Sequence, residues 1–222
     1  MDDSILLLVR FKIGGRLRFL SHAETLRVFQ RACARAEVNI QHTQGFNPHP
    51  RLSLPLPRSV GVESDDELLC ARVVCTPNEL CNADYQTQIK ARLSGQLPEC
   101  FELLSVSIAK ADISFVPSSA TYVLPVRSQY LTSDLKARIK QVLASESLRL
   151  ERKTGPESLK SKTLDVRGFL KSIELQDSCV IVRCNISPAG SIRIEEILQL
   201  LELNVEKLAA PIRRISVQWQ DA

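Results

Sequence analysis

The chain has 222 residues, of which 44% are hydrophobic and 24% charged, as expected of a globular protein with one large domain or two small ones. This composition excludes a disordered, collagen-like or coiled-coil chain. No apolar run reaches the roughly 18 residues that a membrane-spanning helix needs, and Asp2 and Asp3 after Met1 do not resemble a secretion signal. We therefore expect a cytoplasmic protein that does not enter a membrane.

Positive charge is concentrated in the first quarter of the chain. Residues 1–60 carry nine basic and four acidic side chains, whereas residues 61–117 carry four basic and nine acidic ones. Eight of the nine basic residues are arginines, whose guanidinium groups bind phosphate or carboxylate bidentately. The distribution favours an anionic partner for the first quarter, although for any single arginine a solvated surface position is the alternative.

The seven cysteines show no metal-binding pattern, because none belongs to a Cys-x-x-Cys pair. Cys70, Cys75 and Cys81 have spacings of five and six residues, which match no standard iron–sulfur motif. We expect reduced structural thiols, no metal and no cofactor.

In chain order, the first elements are a strand, a turn and a helix. Ile5–Lys12 is apolar enough for an inner strand, and Gly14-Gly15 suggests a hairpin turn before the short run Arg16–Leu20. Ser21 and Glu24 have the spacing of a capping box, which predicts that a helix starts there.

On that helix, two faces can be read from the spacing. Leu26, Phe29, Cys33 and Ala36 recur every three or four residues and predict the core face. Arg27, Arg31 and Arg35 follow at intervals of four and form a basic stripe on another face. The stripe indicates either an anionic partner or an ordinary solvated helix face.

Residues 41–53 are the most unusual segment. Pro48 and Pro50 on either side of His49 exclude a helix and interrupt any central strand, which predicts an irregular loop at the end of a sheet. The side chains that this loop presents are those of His42, Phe46, Asn47, His49 and Arg51. An imidazole, an amide, a guanidinium and an aromatic ring are suited to hold a phosphate and stack on a base. The alternative is a rigid, proline-locked connection.

The next predicted elements complete the first half. Glu63–Glu67 is expected to be a solvated turn and Leu68–Val74 a strong strand. Thr76–Glu79 predicts the start of a helix that runs to about Leu93, and Phe101–Lys110 predicts a strand.

The second half repeats this order. Strands are predicted at Thr121–Val126, Leu148–Glu151, Cys179–Cys184 and Ile212–Trp219, helices at Ser133–Ser145 and from Ser191 to about Leu203, and a surface loop at Arg152–Lys162. The fold class is therefore α+β, with two tandem ferredoxin-like (βαββαβ) units and antiparallel sheets. We place the two domains at residues 1–117 and 118–222.

Several short motifs resemble a known family. They are Arg18–His22, Arg27–Ala32, Gly45–Ser53, Leu56-Pro57 and Val60–Ser64. Together they are similar to the bacterial radical SAM-linked protein family, a domain of unknown function, most strongly over residues 5–75. The resemblance implies an association, by gene neighbourhood or fusion, with a cobalamin-type radical SAM protein. Members lack the three-cysteine cluster motif, as this chain does, so the implied role is accessory, and no established catalytic residue comes with it.

The combined hypothesis is an accessory substrate-binding module that binds RNA and works with a radical SAM enzyme in RNA modification. The anion- or RNA-binding candidates are Arg18, His22, Arg27, Arg31, Arg35, His42, Phe46, Asn47, His49 and Arg51.

Two alternatives remain open. The first is a metal-independent endoribonuclease, because a histidine beside an arginine suffices for acid–base catalysis and tandem ferredoxin-like folds host such enzymes. The second is a protein-interaction scaffold without nucleic-acid contact. The three histidines, His22, His42 and His49, could also meet around a metal, but their spacings match no compact ligand motif.

Overall fold

The structure, a computed structural model, describes residues 3–75, 84–153 and 161–221. It has mixed α+β architecture with antiparallel strand pairing, so the predicted class is confirmed at that level. The chain divides into two compact units: Met1–Val116 with Trp219–Ala222, and Pro117–Gln218. The predicted helix start at Thr76–Glu79 lies outside the described residues.

The described part of the first unit contains four strands and two helices. Its elements are β1 (Asp3–Ile13), α1 (His22–Arg35), β2 (Leu52–Ser53), β3 (Glu63–Cys75), α2 (Tyr85–Ser94) and β4 (Phe101–Lys110). The strand order is β4-β1-β3-β2, with antiparallel neighbours throughout. The long central strand β1 is thus hydrogen-bonded on both sides.

Alternation along β1 gives the two faces of this sheet different roles. Leu7, Val9 and Phe11 pack with helix residues such as Phe29 and Ile89 in the main core. The Phe11 and Phe29 ring centroids are 4.6 Å apart. Residues of opposite parity form a smaller apolar cluster of Leu6, Leu68 and Cys70, packed against Leu8, Ala109, Phe115 and Trp219. Because side chains alternate along a strand, the two described helices cover one face of the sheet, and no helix of the described residues in this unit packs on the other.

The acidic segment Glu63–Glu67 is not a turn, so that prediction is wrong. It forms the first part of β3, where Glu67 lies opposite Phe11 of β1 and is buried. Asp66 is also buried, and one of its carboxylate oxygens accepts hydrogen bonds from Arg10 Nε at 3.1 Å and Nη2 at 2.5 Å. The strand therefore extends through a charged run, in which Arg10 of β1 compensates the buried charge of Asp66.

The Gly14-Gly15 pair does not form the predicted hairpin turn. Gly15–Phe19 is instead a 3₁₀ helix, which leads into α1. Gly15 has φ +54°, and a Cβ there would lie 2.7 Å from the Cys100 sulfur. Glycine is required at this position by its backbone conformation and by the close approach of Cys100.

The predicted capping box at the start of α1 is confirmed. Ser21 Oγ accepts a hydrogen bond from the Glu24 amide at 3.3 Å, and the Ser21 amide donates to Glu24 Oε2 at 2.8 Å. Hydrogen bonds from the Ser21 hydroxyl and amide, with a smaller contribution from the charge of Arg27, lower the pKa of Glu24.

Removing this cap should destabilise the first unit modestly. For Ser21→Ala we expect the free energy of unfolding to fall by about 1 kcal/mol, because an orphan backbone amide loses its acceptor. Urea unfolding measures the change, with Ser105→Ala on the exposed side of β4 as the control. Equal unfolding midpoints for the two variants would contradict the capping role.

The second unit resembles the first in the order of its four sheet strands. Its elements are β5 (Phe115–Pro125), α3 (Ser133–Ala144), β6 (Arg149–Lys153), β7 (Ser161–Asp165), β8 (Leu170–Leu175), β9 (Cys179–Asn185), α4 (Ile194–Leu200) and β10 (Arg213–Asp221). The first two residues of β5, Phe115 and Val116, and the end of β10 from Trp219 onward belong to the first unit. The strand order is β10-β5-β9-β8, and β6 and β7 form a separate antiparallel pair.

Three predictions for this unit need correction. The cap of α3 is Thr132, whose hydroxyl accepts from the Leu135 amide, and not Ser133. Helix α4 begins after Arg193, later than predicted, and ends at Leu200. The predicted surface loop at Arg152–Lys162 is wrong at both ends, because β6 and β7 extend into it.

A buried ion pair links β6 to α4. Arg152 Nε and Nη2 donate to the two oxygens of Glu196, each at 2.8 Å, and the Arg193 amide donates to the same carboxylate at 2.8 Å. Burial favours the neutral acid, but the bonds from Arg152 and Arg193 and their charges outweigh it, so the pKa of Glu196 lies below its usual value of 4.5.

This lowered pKa predicts acid sensitivity. A carboxyl group whose pKa is lower in the folded than in the unfolded chain stabilises the folded state. This stabilisation is fully present above the unfolded-state pKa and is lost as the pH falls through the folded-state pKa. We expect the urea concentration at the unfolding midpoint to decrease as the pH is lowered below 4.5. In Glu196→Gln this decrease should be smaller. An identical pH dependence in both proteins would contradict the contribution of Glu196.

Candidate functional site

Residues 41–51 form a closed loop with an open tip. His42 and Pro50 are bridged in antiparallel fashion, and the Thr43 amide donates to the His49 carbonyl at 2.8 Å. The His49 amide donates back to Thr43 Oγ1 at 2.9 Å. Gly45 lies at the tip with φ +129°, and a Cβ there would meet no described atom within 4 Å. Backbone hydrogen bonds thus hold the base of the loop and leave its tip in solvent.

The side chains of this loop point away from the protein. Phe46 is fully exposed, with a relative accessibility of 112%. His42, Asn47, His49 and Arg51 are exposed too, and none of their side chains has a hydrogen bond or ion pair to another described residue. The loop therefore presents an aromatic ring among uncommitted polar and basic groups.

The basic stripe on α1 is divided by its contacts. Arg27 and Arg31 are exposed. Arg35 instead donates from Nε to Gln96 Oε1 at 3.0 Å and from Nη2 to the Gln96 carbonyl at 2.8 Å. Arg31 and Arg35 line a depression of about 360 Å³ that reaches Pro98. Of the three arginines, Arg35 ties α1 to the turn after α2, while Arg27 and Arg31 extend into solvent.

Arg18 and His22 occupy different surroundings from the loop. Arg18 donates to the Gly15 carbonyl at 2.8 Å, and its guanidinium carbon lies 4.3 Å from the centroid of the exposed Phe19 ring. His22 is the first residue of α1, and its Nδ1 is buried without a partner among the described residues.

His22 lines a small cavity that is partly open to the surface. The cavity measures about 10 Å³, and its lining includes Thr25, Arg58 and Glu67. This volume holds about one water molecule. In the described part of the chain, no group of three or more histidine, cysteine, aspartate or glutamate side chains is placed to hold a metal ion.

Sequence reasoning overlooked Arg58. Its guanidinium is half-buried and donates to the carbonyls of Arg18, Leu20, Ser59 and Val62 at 2.5–3.3 Å. It therefore holds together the segment that carries Arg18 and the start of α1. No local pattern marks this role, because the accepting carbonyls come from two separate parts of the chain.

A groove beside the loop was also not predicted. It has a volume of about 390 Å³, and its lining includes Leu6 and Cys70 from the face of the sheet that the described helices leave uncovered, together with Arg51, Arg72 and Phe115. Arg72 belongs to β3, and its amide donates to the Arg51 carbonyl at 2.9 Å. The loop and the sheet thus bring two arginines to one groove.

The described cysteines are all free thiols. Burial raises the pKa of Cys33 and Cys184 to about 12 and that of Cys70 to about 11. These three thiols are therefore fully protonated near neutral pH and are poor nucleophiles. Cys81 lies outside the described residues.

No helix in the described ranges is both long and apolar enough to span a membrane.

Comparison with known proteins gives one family and no curated relative. A search of curated proteins finds no match for the chain. The family model described as "Uncharacterized protein conserved in bacteria (DUF2344)" matches residues 7–202, which is most of the chain. The expectation of a bacterial domain of unknown function is confirmed, and the chain belongs to the DUF2344 family of uncharacterized proteins conserved in bacteria.

Proposed function

We propose that the protein is an accessory RNA-binding module that holds RNA for a radical SAM enzyme in the bacterial cytoplasm. The single observation that carries the proposal is the loop at residues 41–51, whose fully exposed Phe46 lies among uncommitted polar and basic side chains. The partner enzyme rests on the family resemblance of the motifs in residues 18–64.

The exposed phenylalanine favours a stacking role. A phenylalanine at a loop tip contributes no core packing, and its exposure to water is unfavourable by the free energy of apolar hydration. Single-stranded nucleic acids stack their bases on such rings regardless of sequence. Asn47 and His49 beside the ring supply hydrogen-bonding groups for base edges or the ribose, and both are exposed.

Arginines supply the complementary charge. Arg27 and Arg31 on α1 and Arg51 at the end of the loop are exposed, so each can reach a phosphate without breaking an internal hydrogen bond. Arg35 is less suited to this role because it would have to release Gln96. We therefore assign the main phosphate contacts to Arg27, Arg31 and Arg51.

The topology is compatible with this assignment. Within the described residues, each unit has the element order βαββαβ when the β6–β7 pair is set aside, and each has the strand order 4-1-3-2 of its own four strands. We propose on this basis that both are ferredoxin-like units in tandem. Four-stranded sheets of this size bind single-stranded RNA through stacked aromatic rings in RNA-recognition modules, an analogy at the level of fold only.

Replacing Arg31 tests the phosphate contacts. For Arg31→Ala we expect the affinity for single-stranded RNA to fall about threefold at moderate salt. The slope of log affinity against log salt concentration should become shallower by the contribution of about one phosphate contact. Fluorescence anisotropy measures both, with Arg92→Ala on the exposed side of α2 as the control. Equal effects of the two substitutions would show that general charge, and not the stripe, determines binding.

Co-purification separates the proposal from its alternatives. The intact chain is isolated with its radical SAM partner, and any bound RNA is identified. Bound, uncleaved RNA in the complex is the expected result. Metal-independent cleavage abolished by His49→Ala would favour the endoribonuclease, and a stable complex free of RNA would favour the scaffold.

A further inference from the structure

We propose that the groove lined by Arg51 and Arg72 is a binding site for one nucleoside monophosphate unit. The phosphate would contact the two arginines, and the base would lie against Phe115 and the apolar lining. As a subsite for one nucleotide of RNA, the site rests on the proposed function, but free nucleotides test it directly.

The groove has the dimensions and position of a ligand site. Its volume of about 390 Å³ lies within the range of small-molecule pockets, about 300–1,000 Å³. Leu6 and Cys70 line it, and both project from the face of the first sheet that the two described helices leave uncovered. The segment after the loop and residues 113–115 complete its described lining.

The charge of the ligand follows from two arginines that have no acidic partner among the described residues. Arg51 is exposed and Arg72 half-buried, and neither side chain has a hydrogen bond or ion pair to any residue that the structure describes. None of the described residues that line the groove is acidic. Two arginines on one groove, without a carboxylate among its described lining residues, favour an anionic ligand, and phosphate oxygens match the planar donor geometry of guanidinium groups.

The apolar lining of the groove indicates the part of the ligand that is not the phosphate. Leu6, Ile113 and Phe115 contribute apolar surface, and the Phe115 ring is half-buried. Inorganic phosphate would leave this surface in water, and a purely apolar ligand would leave both arginines without a counterion. A flat ring joined to a phosphate satisfies both halves of the groove.

Calorimetric titration of the intact chain tests the site. The probes are AMP, GMP, CMP and UMP, with adenosine and inorganic phosphate as separate arms. We expect saturable binding of the monophosphates and weaker binding of both fragments. Arg72→Gln should weaken monophosphate binding about tenfold or more, because a charged hydrogen-bonding partner is lost. Arg92→Gln, exposed on α2, should leave it unchanged.

A second measurement requires no substitution in the groove. In the unmodified protein, the side-chain Nε–H resonances of Arg51 and Arg72 should shift on addition of AMP, while that of Arg92 stays in place. Absence of saturable monophosphate binding, unshifted Arg72 resonances, or phosphate binding as tight as AMP binding would each overturn the inference.

The outcome separates this site from the proposed function. RNA binding that is unchanged by Arg72→Gln would overturn the groove as an RNA subsite and leave the role of the loop intact. Monophosphate binding that depends on Arg72, in a chain that does not bind RNA, would support the groove and overturn the proposed function.

Discussion

Replacing Arg58 by alanine should lower the free energy of unfolding by about 2–4 kcal/mol, because it leaves several carbonyls without their donor. The half-buried guanidinium donates to the carbonyls of Arg18, Leu20, Ser59 and Val62. Water can replace only part of this network, since the pocket that Arg58 lines beside His22 has room for only about one water molecule.

Two further variants make the Arg58 prediction specific. Arg58→Lys keeps the charge but cannot reproduce the planar set of donors, so we expect an intermediate loss of stability. Arg16→Ala, in the neighbouring 3₁₀ helix and exposed, should change stability little. Urea unfolding gives all three values, and a loss for Arg58→Ala no greater than that for Arg16→Ala would refute the network.

Replacing Phe46 by alanine should weaken RNA binding by about 1–3 kcal/mol, or roughly 5- to 150-fold, which is the contribution of one base stacked on an aromatic ring. Stability should not change, because the side chain is fully exposed at the loop tip. A loss of affinity without a loss of stability distinguishes a binding role from a structural one.

Two control variants accompany Phe46→Ala, one at the same position and one at an exposed apolar residue of the second unit. Phe46→Trp keeps an aromatic surface and should retain or increase affinity. Val205→Ala removes an exposed apolar side chain in the second unit and should have no effect. Anisotropy with single-stranded RNA measures affinity, and an unchanged affinity for Phe46→Ala would show that the loop does not stack on bases.

The features that the sequence predicted well are local ones. Ser21 and Glu24 are three residues apart, so the capping box could be read directly, and Pro48 and Pro50 excluded regular structure around His49 without reference to the rest of the chain. The alternation in β1 correctly indicated an inner strand, because one strand's own side chains carry that pattern.

The features that it missed depend on distant partners. Asp66 suggested a solvated turn because its partner, Arg10, is 56 residues away. Arg35 looked equivalent to Arg31, and only the contact with Gln96, 61 residues away, separates their roles.

The groove was missed for the same reason. Arg72 is a single arginine in an apolar strand, and its proximity to Arg51 follows from the pairing of β2 with β3. Spacing in the sequence carries no information about such a pair, so the site emerges only when the strand register is known.

The most direct test of the proposed function is the salt dependence of RNA binding. The affinity of the intact chain for single-stranded RNA is measured by anisotropy across a range of salt concentrations. If Arg27, Arg31 and Arg51 contact phosphates, log affinity should fall with log salt with a slope of about −2. Absent or salt-insensitive binding across tRNA and rRNA fragments would contradict the proposed function.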